Sequence, residues 1–163
     1  MIINIVNKDT LKVDLFEFKC SIGKNGFTKS KKEGDKKTPK GKFSIGNLYY
    51  RKDRKIKFKT KLKSIPIKKD MGWCDDITNN DYNKLIKVKK NIKHEKLYRR
   101  DYIYDLLIPI HYNINPTIKK KGSAIFLHLT KNYNKTAGCI AISKKDFLIL
   151  LKIIDKKTKI KIF

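Results

Sequence analysis

His128 and Cys139 are the residues of this chain whose types and spacing could support nucleophilic chemistry. His128 ends the apolar run Ile125-Phe126-Leu127, and Cys139 precedes a second run, Ile140-Ala141-Ile142, after a polar loop from Leu129 to Lys135. A thiol is a weak nucleophile at its ordinary pKa, and an imidazole beside it either ionises it or takes its proton during attack. Two adjacent strand ends would bring the pair together across one loop. Gly138 has no Cβ, so the backbone there can approach a carbonyl group closely, and the N–H groups of Gly138 and Cys139 could hold an oxyanion. The same residues also read as a buried structural cysteine and an unrelated strand-end histidine. The pair alone leaves both readings open.

The elements that must position this pair are expected to be mostly strands. Met1–Val6 and Leu11–Phe18 read as strands around an Asn7–Thr10 turn, and Lys19–Gly23 reads as a third. Gly23 to Gly41 is a loop by composition, with Thr38-Pro39 as turn chemistry, its lysines as a solvated face and Asp35 as a turn residue. Phe43–Tyr50 reads as a strand. Arg51–Lys63 alternates cations with Ile56, Phe58 and Leu62, which predicts a strand with one wet face near an edge. Asp76 or Thr78 could cap a short helix over Asn79–Ile86. Tyr104–Ile110 is a central strand by apolarity. Ser143 is expected to cap an amphipathic helix over Lys144–Lys156, with Asp146 completing a capping box, and Lys157–Phe163 to form a last strand. The count predicts a single mainly β domain over residues 1–163, a barrel or sandwich with one helix after Cys139.

The stretch GSAIFLHLTKNYNKTAGCIAIS, Gly122 to Ser143, resembles the active-site segment of the L,D-transpeptidase (YkuD-type) family. There a histidine, a loop and a Ser/Thr-x-Gly-Cys block carry a cysteine nucleophile. Gly34-Asp35-Lys36-Lys37-Thr38-Pro39-Lys40-Gly41-Lys42-Phe43 is similar to the family's G-D-x-x-T-P-x-G-x-F segment. Gly72-Trp73-Cys74-Asp75-Asp76, Tyr82-Asn83 and Tyr112-Asn113 are similar to motifs of one branch. Ala137, Ala141 and Leu129 depart from the pattern, standing where many members have a second histidine, an Arg or Asn, and a Gly.

The resemblance implies a β-barrel or sandwich in which Cys139, served by His128, attacks an L–D peptide bond of a peptidoglycan stem peptide. The thioester then passes to an amine of a second stem, with no metal or cofactor. It implies that Trp73 and Asp75 belong to a cleft wall, and Thr136 belongs to the Thr-Ala-Gly-Cys block as a substrate-binding candidate. Arg99 could pair with a stem-peptide carboxylate, or with Asp101 or Glu95 as a structural ion pair. Tyr112, Asn113 and Trp73 are the candidates to replace the polar group missing at Ala137. A hydrolase on the same bond is the alternative reaction. A lysine-rich wall- or nucleic-acid-binding protein with a vestigial cleft is the alternative class.

A formal net charge of +26 favours anionic polymers and surfaces such as a cell wall. Only four of the 41 basic residues are arginine (Arg51, Arg54, Arg99 and Arg100), so specific nucleic-acid readout is not expected. Three cysteines are too few for a disulfide scaffold, and Cys20 reads as a sheet residue. The N-terminus has neither the charged region nor the long apolar region of a signal peptide, in tension with the cell-envelope location that the resemblance implies. A monomer is expected.

Overall fold

The computed structural model describes residues 1–163, Met1 to Phe163. The chain opens with β1 (Ile2–Val6), β2 (Thr10–Val13) and β3 (Phe16–Ser21), a meander of antiparallel neighbours. Asp14, with φ of 51°, turns the chain between β2 and β3, so the expected Leu11–Phe18 strand is two strands. The first residues of the expected Lys19–Gly23 strand continue β3.

The Gly23–Gly41 segment is a loop pinned by a short parallel pair, β4 (Phe27–Thr28) and β5 (Thr38–Pro39). Then follow β6 (Gly41–Ser44) and β7 (Leu48–Tyr50), where one strand is expected from sequence. The Arg51–Lys63 segment is not a strand. It holds a 3-10 turn at Lys52–Arg54 and runs irregularly to β8 (Ser64–Pro66). Arg51 grips Asp53 through two hydrogen bonds of 2.8 and 2.7 Å, and the side chains of Arg51 and Arg54 donate to the carbonyls of Arg99 and Arg100. These bonds hold the segment against the 99–100 backbone, and the lysine alternation survives only as alternating exposure.

β9 (Met71–Cys74) lies between β10 (Leu85–Lys87) and β11 (His94–Lys96) in a separate three-stranded sheet. The expected Asn79–Ile86 helix is absent. Asp76 does accept from Thr78, through N–H at 3.0 Å and Oγ1 at 2.6 Å, but as a local turn. Such side-chain bonds compete with helix propagation, and Leu85 pairs with Trp73 instead.

The chain ends with β12 (Leu106–Pro109), β13 (Phe126–Leu129), β14 (Ile140–Ile142), α1 (Lys144–Ile153) and β15 (Lys159–Ile162). The main sheet has ten strands in the order β6-β15-β1-β2-β3-β14-β13-β12-β7-β8. It curls on itself, because Ile45, just beyond edge strand β6, bridges to Ile110 just beyond β12. The result is a curled half-barrel, mainly β as the strand count predicts, with the one helix expected after Cys139. β8, ending in Pro66, is the other edge.

α1 is capped as its sequence predicts. Ser143 Oγ accepts from the Asp146 N–H at 3.1 Å and donates to the Asp146 carboxylate at 2.7 Å. Phe147, Leu150 and Leu151 form its buried stripe. These side chains join Leu127, Leu129, Ile140 and Ile142 in a core of 24 buried residues. Phe147→Ala should therefore cost about 3–5 kcal/mol, and Ser143→Ala about 1 kcal/mol through the lost cap. Urea melts of both variants check this; equal losses would show that capping, not packing, holds α1.

Candidate active site

β13 and β14 are parallel neighbours, with Leu127 opposite Ile140 and His128 opposite Ala141. Side chains alternate between faces along a strand, so this register sets Phe126, His128, Cys139 and Ala141 on one side. Phe126 and Cys139 accordingly belong to a second cluster of eight buried residues, with Trp73, Tyr104 and Leu107. The pair thus faces away from the helix-covered core, into a cavity of about 440 Å³ that both residues line.

Cys139 is held by backbone. Its S–H donates to the Ala124 carbonyl at 3.2 Å, and its sulfur accepts from the Phe126 N–H at 3.3 Å. Burial pushes the thiol up to about 12. His128 Nδ1 lies 2.9 Å from the Leu129 carbonyl, so that nitrogen carries the proton and Nε2 is the basic one. Burial lowers the imidazole to about 4, and the Tyr104 ring packs edge-on to it at 5.2 Å. The resting pair is therefore a neutral thiol and a neutral imidazole, and the thiol proton points at Ala124 rather than at His128.

The Thr136–Cys139 turn is shaped by its own hydroxyl. Thr136 Oγ1 donates to the Cys139 carbonyl at 2.6 Å and accepts from the Gly138 N–H at 3.1 Å. That corrects the expectation for Gly138: its amide is already committed, which leaves the N–H groups of Ala137 and Cys139 as the uncommitted backbone donors of the turn. Thr38, fully buried, accepts from the Gly23 N–H at 2.9 Å and donates to the Gly138 carbonyl at 2.8 Å. A Cβ at Gly138 would stand 2.8 Å from the Lys37 carbonyl oxygen. The close approach at this glycine is to its own chain.

Asp75, Arg99 and Thr136 line the cavity with Cys139 and His128, together with Ala137 and Ala141. Arg99 is bound to Asp101 by bonds of 2.9 and 2.7 Å and reaches Glu95 at 3.4 Å, the ion pair of the two readings open to it. Asp75 Oδ1 has no hydrogen-bond partner, and burial raises this carboxyl above its ordinary range.

Trp73, Tyr112 and Asn113 do not line the cavity, which corrects their expected place beside Ala137. Trp73 Nε1 donates to Asn83 Oδ1 at 2.9 Å, and Asn83 donates to the carbonyls of Tyr112 and Asn113 at 3.0 and 2.7 Å. Asn83 Oδ1 also accepts from the Ala124 N–H at 3.1 Å. Ala124 has a left-handed backbone, φ 51°, a conformation that needs outside support in a residue with a Cβ. Its carbonyl is the one that holds the Cys139 thiol, so these motif residues act on the nucleophile from behind.

Lys31, Glu33, Glu95 and Tyr104 line the cavity and are not singled out by sequence. Glu33 accepts from Tyr82 and, at 2.7 Å, from Ser123; Tyr104 donates to Glu95 at 2.9 Å. A lysine run and scattered acids carry no periodic signal, so only the fold gathers them. All three cysteines are free and buried.

The model of the family described as YkuD, L,D-transpeptidase catalytic domain, matches residues 3–162. No curated protein and no solved structure gives a match.

A thiol pushed up by burial stays protonated through neutral pH. Iodoacetamide labelling of native Cys139, read by peptide mass mapping, should rise about tenfold per pH unit up to pH 10 without levelling. A plateau near pH 6–7 would instead reveal a preformed thiolate.

Proposed function

Because the chain belongs to the YkuD family of L,D-transpeptidase catalytic domains, we propose that it is a cysteine acyltransferase acting on peptidoglycan stem peptides. The observation that carries this reading is the shared cavity: Cys139 and His128 line it from one face of paired strands. The thiol must first turn from the Ala124 carbonyl toward His128 Nε2. Cys139 Sγ then bonds to the carbonyl carbon on the L-side of an L–D bond while its proton passes to Nε2. The tetrahedral oxyanion collapses, the D-residue leaves as an amine carrying that proton, and a thioester remains.

A general base fits these environments better than a standing ion pair, since burial favours the neutral forms of both groups. An amine of a second stem takes the acyl group where it is held in place, and water takes it otherwise. Asp75 lines the same cavity, and its carboxyl is suited to hold the acceptor amine by accepting from its N–H. The basic surface would assist encounter with an anionic wall, and that substrate would place the reaction in the cell envelope.

Incubation with purified stem peptides, read by mass spectrometry, should give cross-linked dimers and an acyl adduct on Cys139. Cys139→Ala should abolish both, while Cys20→Ala and Cys74→Ala should change stability alone. Trimmed monomers without dimers would identify a hydrolase, and undiminished activity of Cys139→Ala would end the thiol mechanism. His128→Ala should lose roughly 100- to 10,000-fold in turnover.

The pH profile follows from His128. A lowered pKa leaves Nε2 free to accept a proton throughout the neutral range, so the base is lost only as pH falls through about 4. The acid limb of kcat/KM should lie there, and a limb near pH 6.5 would point to a different base.

A further inference from the structure

Lys31 is the buried lysine of the Gly23–Gly41 segment, 4% exposed, and it lines the cavity of Cys139. An ammonium group is costly to bury unless it is paired. Asp35 accepts from Nζ at 2.6 Å, and Asp35 is itself fixed by the N–H groups of Lys32 and Lys37 at 2.8 and 2.9 Å. Burial pushes the Asp35 carboxyl up, yet these hydrogen bonds outweigh it and hold the group ionised, below its ordinary range.

Two glycines make room for this side chain. A Cβ at Gly122 would lie 2.8 Å from Lys31 Cε and 3.0 Å from its Cδ and Cγ. A Cβ at Gly138 would lie 3.5 Å from Lys31 Nζ. The alkyl stem therefore runs along Gly122 and the ammonium stands beside Gly138, the residue before the nucleophile. An ammonium has three N–H donors, and Asp35 accepts the one hydrogen bond that Lys31 Nζ makes. The turn next to it offers no side-chain donor at residue 137, which is alanine, and its Gly138 N–H is committed to Thr136.

We propose that Lys31 is a further catalytic residue, whose ammonium donates to the oxyanion formed during acyl transfer; this rests on the reading of the site given above. As Cys139 Sγ bonds to the carbonyl carbon, the carbonyl π pair moves onto oxygen, and the thiol proton goes to His128 Nε2. One free N–H of Lys31 and the N–H of Cys139 donate to that oxygen. The pair then returns as the C–N bond breaks, and the departing amine takes the proton from His128. Lys31 keeps its three protons throughout. Its charge is itself shielded from solvent, with Lys31 4% exposed, and a donor so placed is worth more than one in water. Asp35 is the positioning residue that holds it.

The test compares two reactions of Cys139 in wild type, Lys31→Met and Lys31→Arg. Acylation by 4-nitrophenyl acetate passes through an oxyanion, and alkylation by iodoacetamide does not. Intact-mass measurement scores both adducts, with Cys139→Ala as the blank. Lys31→Met should slow acylation by about 100-fold more than alkylation, and Lys31→Arg should recover part of that ratio. Loss of thiolate character or a loosened loop would slow both reactions alike, so an unchanged ratio overturns the role of Lys31. Lys31→Gln gives the same comparison if the methionine variant does not fold. Wild-type Cys139 that is alkylated but never acylated would overturn the acyl-transfer reading itself, and this proposal with it.

Discussion

The parallel pairing of β13 with β14, Leu127 against Ile140, decides where every reactive atom of the site lies. Leu127, Leu129, Ile140 and Ile142 are each no more than 1% exposed, and all four face the large core. A slip of one residue would turn them toward the cavity and drive His128 into hydrocarbon. Burying each such side chain is worth roughly 1.5–3 kcal/mol, so the aliphatic face holds the register firmly. The imidazole and the thiol gain their common face as a consequence of a choice made by leucines and isoleucines on the other.

Polar ties from distant parts of the chain then refine the site. The Thr38 hydroxyl joins the Gly23 N–H to the Gly138 carbonyl, linking the start of a loop to the turn before Cys139. Asn83, 3% exposed, links Trp73, Ala124, Tyr112 and Asn113 through four hydrogen bonds. Buried networks of this kind are stabilising only when every member is satisfied, which makes them rigid supports. They explain why motifs far apart in sequence serve one sulfur atom: the Gly-Asp-x-x-Thr-Pro stretch braces the turn, and the Trp73 and Asn83 motifs brace the carbonyl that receives the thiol.

Electrostatics in the site run against the composition of the chain. The molecule carries a formal charge of +26, yet burial, not the surrounding cations, sets the state of Cys139 and His128. Surface lysines are screened within about 8–10 Å in ordinary salt. A single desolvated cation beside Gly138 can matter more than many on the surface, and the cavity walls mix Lys31, Lys93 and Arg99 with Glu33, Asp75 and Glu95.

Sequence alone determined the parts governed by local pattern. The apolar runs around His128 and Cys139, the Ser143 cap, the amphipathic stripe of α1 and the mainly β count all follow from periods and caps written in consecutive residues. It misread the 79–86 stretch and the 51–63 stretch, because Leu85 and Arg51 answer to partners far along the chain, Trp73 and Arg99, rather than to neighbours. Only the tertiary structure decided that the Gly138 carbonyl is tied to Thr38, that Trp73, Tyr112 and Asn113 stand behind the nucleophile, and that one lysine of a basic loop is buried beside it. Those outcomes depend on contacts between segments up to about one hundred residues apart, such as Thr38 with Gly138. Hydrogen-bond geometry and burial across such distances leave no periodic trace in the order of the amino acids.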